Sequence, residues 1–129
     1  MLRLALTFCG LSLLALALVR LVDLPQGDPQ RGEALYANNL YCAACHINND
    51  GFAPQMNDLF DRVTSVRIAA AHETAEQYLA ESIIEPDAYV VSGYRASVMP
   101  RYHLCPIDCR GFSVTLRDLQ DLVAYLRTL

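Results

Sequence analysis

The string Cys42-Ala43-Ala44-Cys45-His46 constrains this chain more than any other feature. Two thiols three positions apart can add to the two vinyl groups of one haem, and the adjacent histidine is then placed beneath the iron as an axial ligand. A chain that commits these three side chains to one flat group must build its core around it. Two other chemistries use similar strings. A thioredoxin-like pair sits where a strand runs into a helix, and no strand pattern precedes Cys42. A structural zinc site could draw on Cys42, Cys45, Cys105 and Cys109 as four thiolates, but it leaves His46 without a role.

The 129 residues leave room for one small domain and an appendage, not for two independent cores. A formal charge of -4, from 10 Arg and no Lys against 14 Asp and Glu, disfavours nucleic acid as a partner. Five cysteines in so short a chain argue against an ordinary reduced cytosolic domain, so each needs an assignment.

The N-terminus carries the strongest shift in composition. Leu4 to Val19 is uncharged and almost wholly apolar, with Arg3 before it and Arg20 and Asp23 after it. Extended to Val22, with Arg20 snorkelling, the segment has 19 residues, against the roughly 20 that a helix needs to cross a bilayer. A signal peptide is the alternative, with Arg3 as its charged start and Ala15-Leu16-Ala17 as its cleavage site. Lipid attachment at Cys9 is disfavoured by bulky Phe8 before it, and Cys9 reads as an apolar filler. The expected organisation is an N-terminal transmembrane anchor or uncleaved signal at residues 1–23, a linker at 24–29 and a single domain at 30–129.

Pro25, Gly27 and Pro29 break any helix leaving the apolar segment. Asp28 then suits an N-cap, with Pro29 at the first position of a helix running toward Asn38. Gly32 costs about 1 kcal/mol against Ala inside a helix, which points to close approach by another element. Cys42 to Pro54 reads as a turn-rich loop, and Asn57 to Val63 as a short helix. Thr74 to Ile84 has helical spacing and ends at Glu85-Pro86, where proline forbids continuation. Asp87 to Cys109 lacks a sustained period and reads as a long loop. Thr115 to Leu129 closes the chain as an amphipathic helix with Leu116, Leu119, Leu122, Val123 and Leu126 on one face.

If haem is bound, the second axial ligand comes from Met56, Met99, His72 or His103. Met99 lies 53 residues after His46, far enough for the intervening helix to pass round the haem and return the loop to its other face. Met56 is only 10 residues from His46 and would struggle to make that circuit. His72 precedes a helix and reads as a solvated residue. His103 is the serious competitor to Met99.

Several of these residues together carry a family resemblance. Gly32 and Tyr36 in a first helix, the Cys42 to His46 string, Pro54, Met99-Pro100, and a last helix with Tyr125 and Leu126 resemble class I cytochrome c over residues 28–129. The resemblance implies an all-α fold: a small helical domain around one covalent haem c, here preceded by a single transmembrane helix. It implies that Gly32 and Tyr36 meet Tyr125 where the first and last helices cross. It also implies that the Pro54 carbonyl accepts a hydrogen bond from the His46 ring. The stretch Ser82 to Val91, with Gly93-Tyr94 and Met99-Pro100, is similar to membrane-bound cytochromes of bacterial respiratory complexes, alternative complex III in particular.

The chain departs from the soluble members in having no lysine ring for docking, and in carrying Cys105-Pro106-Ile107-Asp108-Cys109 just beyond the axial loop. In an oxidising compartment that pair is expected as a disulfide, with free thiols or zinc as alternatives. Tyr89, Tyr94, Arg95, Arg101 and Tyr102 could bind the haem propionates or simply pack the loop.

Ligation by both His46 and Met99 leaves no vacant iron position, and the thioether favours the reduced state. The expected function is therefore one-electron transfer, not catalysis. The expected setting is the outer face of the bacterial cytoplasmic membrane, with membrane subunits of an electron-transport complex and other haem or copper proteins as partners. A haem enzyme or gas sensor with an open distal side, and a zinc module, are the alternatives.

Overall fold

The structure is a computed structural model, and it describes residues 26–47, 51–57, 59, 61–62, 74–107 and 109–129. The apolar segment Leu4 to Val22, Cys9 and His72 lie outside these residues. Among the described residues no helix is long and apolar enough to cross a membrane.

Helix α1, Pro29–Ala34, starts as its sequence dictates. The Asp28 carboxylate accepts from the N–H groups of Gln30 at 2.9 Å and Arg31 at 3.3 Å, and Pro29 needs no acceptor at the first position. The helix then widens into a π-helical turn, Leu35–Asn39, closed by Leu40 N–H on Leu35 O at 2.9 Å. Tyr41 adopts a left-handed conformation, φ 57°, which reverses the chain and starts α2, Cys42–His46. The expected loop is corrected here, because Ala43 and Ala44 are strong helix formers and the left-handed residue gives them a fresh start.

Helix α3, Ala75–Ile84, is capped reciprocally by Thr74 and Gln77 and stops ahead of Pro86. Helix α4, Leu116–Leu126, has the same device in Thr115 and Asp118. Leu59, Asp61 and Arg62 have helical backbone inside the expected short helix. The long loop is not wholly irregular, since His103–Leu104 (β1) pairs in parallel with Ser113–Val114 (β2). Among the described residues this two-residue ladder is the one departure from an all-α fold.

The core joins α1, α3 and α4. Leu119, Leu122, Val123 and Leu126 project from α4 into a cluster with Tyr36, Leu79, Ile83 and Val114. Burying such a side chain contributes about 1.5–3 kcal/mol, so the inner face of α4 is a main source of stability. At the α1–α4 crossing, a Cβ on Gly32 would overlap the Asp121 carbonyl oxygen and stand 2.7 Å from Tyr125 Cβ. The absence of a side chain there lets the backbones meet. One turn on, the Tyr36 and Tyr125 rings meet at a tilt of 53° with centroids 5.4 Å apart, as the resemblance implied.

Charge fixes the same crossing. Asp121 is fully buried, yet it accepts from Asp28 N–H at 2.7 Å, pairs with Arg31, and pairs with Arg117 at 3.1 Å. Burial pushes its carboxyl pKa up, but these donors outweigh it and hold the group below the usual carboxylate range. Asp118, which also takes Arg31, is held low in the same way by its Thr115 and Arg31 contacts against the effect of burial.

Candidate functional site

An apolar cavity of about 660 Å³ opens between the helices, within the roughly 300–1,000 Å³ range of cofactor sites. Leu40, Leu79, Ile83, Leu122 and Leu126 bring the hydrophobic core to its wall. Cys42, Cys45 and His46 reach it from α2, and both cysteines are free. On a helix, residues three and four apart share one face, so five residues deliver both thiols and the imidazole to one place. Burial pushes the Cys42 thiol up to about 11, which keeps it protonated in the unreacted chain.

His46 is oriented from behind. Its Nδ1 lies 2.7 Å from the Pro54 carbonyl oxygen, so Nδ1–H donates there and Nε2 keeps its lone pair. Burial pushes the imidazole pKa down, against the opposing effect of that bond, and favours the neutral ring that a metal requires.

The long loop supplies the facing wall residues. Met99 lines the cavity with Val98 and Pro100. Asp87 receives Ser97 N–H at 2.7 Å and Ser97 Oγ–H at 2.9 Å, which folds the loop back on itself at the left-handed Ser97. Arg101 pairs with Glu85 at 2.8 Å, and Tyr102 N–H donates to Ile83 O at 3.2 Å at the end of α3. Farther on, Cys105 and Cys109 are joined in a disulfide with Cα atoms 5.8 Å apart.

Of the candidate second ligands, Met56 and Met99 both line the cavity. Met56, however, stands two residues from the carbonyl that holds His46 from behind. His103 is exposed on β1 and is not part of the wall.

The four-thiolate zinc set is not assembled. Cys105 and Cys109 bond each other, and among the described residues no three His, Cys, Asp or Glu side chains are grouped to hold a metal ion. Of the residues considered for the propionates, Tyr89, Tyr94, Arg95 and Tyr102 line the cavity. Arg101 does not, because Glu85 holds it elsewhere, and the Tyr102 hydroxyl is given to the Leu40 carbonyl.

Sequence reasoning missed Tyr41, Phe52, Arg62 and Phe112 as wall residues. Tyr41 could have been noticed from its place beside Cys42. Phe112 could not, since the β1–β2 pairing that brings it in has no sequence period.

An apolar chamber with two free thiols, an imidazole with one nitrogen already tied, and a thioether in its wall fits a covalent haem. The model of the Cytochrome c family matches residues 29–129. The chain belongs to the cytochrome c family. Searches of curated proteins and of solved structures give no significant match. As a cytochrome c domain, the chain takes a covalently bound c-type haem as its cofactor, and electron transfer through that haem is its family's activity.

Proposed function

We propose that this cytochrome is a one-electron carrier in which Cys42 and Cys45 bear the haem as thioethers and His46 and Met99 ligate the iron. When bound, the haem supplies a reversible ferric–ferrous couple. The observation that carries the reading is the meeting of all four side chains on one apolar cavity. Pro54 fixes the His46 ring, leaving Nε2 as the ligating atom. Met99 offers a soft sulfur from a loop held at Asp87–Ser97 and Glu85–Arg101. The walls are mostly apolar, so they would offer few polar groups to reorganise when the charge at the iron changes. Arg62 and Arg95 on the wall offer cations to the propionates.

The setting we propose is a membrane-anchored subunit of a respiratory or photosynthetic electron-transport complex, on the periplasmic side of the bacterial cytoplasmic membrane. Support comes from the apolar run Leu4 to Val22 and from the likeness of Ser82 to Val91, Gly93-Tyr94 and Met99-Pro100 to membrane-bound cytochromes. Alternative complex III is the favoured host, with other haem or copper proteins exchanging electrons.

Three measurements test this. The denatured chain should keep its haem stain on a gel and after acid-acetone extraction, and the ferrous protein should be insensitive to carbon monoxide. Rapid carbon monoxide binding would instead support an enzyme or gas sensor. The native protein should stay with membranes through salt and carbonate and need detergent for release. A soluble form beginning near Leu18 would show that the apolar run is a cleaved signal.

A further inference from the structure

Three residues beyond Met99 the chain is tied down at Tyr102, which is only 4% exposed. Its N–H donates to Ile83 O, its hydroxyl donates to the Leu40 carbonyl, and its ring meets Phe112 edge-on, with centroids 5.6 Å apart at 89°. Leu40 stands two residues before Cys42. One phenol therefore joins the segment that carries the thiols to the segment that carries the thioether, 62 residues apart in sequence. Two polar side-chain fastenings of the axial loop are exposed: Arg101 is 44% accessible in its pair with Glu85, and Asp87–Ser97 faces solvent. Exposed pairs contribute little, whereas a buried hydrogen bond is expensive to break.

We propose that Tyr102 is a positioning residue for the sixth ligand: the bond from its hydroxyl to Leu40 sets the separation of the Cys42–His46 helix and Met99, and so keeps the thioether seated. This rests on the reading of Met99 as that ligand. A phenylalanine would pack the same ring against Phe112, so packing alone does not call for the hydroxyl. Burial pushes its pKa up to about 12, and it remains a donor throughout the physiological range. Without it, the Leu40 carbonyl loses a buried donor and the Met99 loop loses its covered side-chain tie to the residue two before α2.

The test uses the haem-loaded full chain carrying Tyr102→Phe, with Asp121→Asn as a control that lowers stability without touching the cavity. Carbon monoxide reaches ferrous iron only through the form in which the thioether is off. Loss of one buried hydrogen bond, about 1 kcal/mol, should raise that population and the binding rate about fivefold. The sulfur-to-iron charge-transfer band of the ferric protein should also be lost at milder denaturant than unfolding itself. Asp121→Asn should lower the melting temperature and leave the binding rate unchanged.

An unchanged rate in Tyr102→Phe would overturn the proposal. So would rates that follow melting temperature in both variants, because that is what a merely structural role produces. If Tyr102→Phe fails to fold, Tyr102→Leu, which has no side-chain donor and adds no bulk, takes its place, and a carbon monoxide rate at the unaltered value then overturns the proposal. If the unaltered protein itself lacks the band and binds carbon monoxide rapidly, the Met99 reading falls, and the inference with it.

Discussion

A methyl group at Gly32 has nowhere to go, because the Asp121 carbonyl already occupies its place. Gly32→Ala should push α1 from α4 and cost about 1–3 kcal/mol, as overpacking does. At about 4–8 °C per kcal/mol for a domain of this size, thermal unfolding will show it plainly. Met99 carries a different kind of consequence. Met99→His should keep a six-coordinate iron but lower the potential, since imidazole donates more strongly to ferric iron; a redox titration measures it. Met99→Ala should open the site to carbon monoxide, and both variants should lose the sulfur-to-iron band. At this scale the sequence was most legible where chemistry dictates spacing. Cys42, Cys45 and His46 must be neighbours, and Gly32 stands out because a helix interior disfavours it. Arg62 and Phe52 reach the cavity through tertiary packing, which leaves no local mark.

Helix α4 shows how a charged group can fix the angle between elements. Asp121 and Asp118 both have depressed pKa values, so their contribution is complete above the ordinary carboxylate range near pH 4. It is lost as pH falls through their lower folded values. In Asp121→Asn, melting temperature should be lower at pH 7, by an amount corresponding to about 1.5–3 kcal/mol for a hydrogen bond to a charged group. The gap to the unaltered protein should narrow as pH falls below 4, and a gap constant from pH 7 to pH 2 would deny the carboxylate this role. Helices α1, α3 and α4 were readable because Asp28, Thr74 and Thr115 cap them and Pro86 stops one, whereas α2 was not. The π-helical turn at Leu35–Asn39 and the β1–β2 ladder were not. Each depends on contacts with distant residues: Tyr36 with Tyr125, and His103 N–H with Phe112 O at 2.9 Å.

Across the whole molecule, the cavity and the core share Leu40, Leu79, Ile83, Leu122 and Leu126, so filling one completes the other. A Cys42→Ala/Cys45→Ala variant that cannot attach haem should bind a hydrophobic dye and melt without a sharp heat-absorption peak. A cooperative transition at the unaltered temperature would show that the helices need no group between them. The sequence disclosed that a haem-centred domain was present, but not that Gly27, ahead of α1, packs on α4. Gly27 lies so close to α4 that a Cβ would stand 2.6 Å from Asp121 Cα and overlap the Gln120 carbonyl. Neither Gly27, Gln120 nor Asp121 belongs to the cavity wall. Gly27 is therefore held on α4 outside the wall that carries the thiols and the thioether. A side chain at this position would lever the start of α1 off α4 and leave the wall of the chamber untouched.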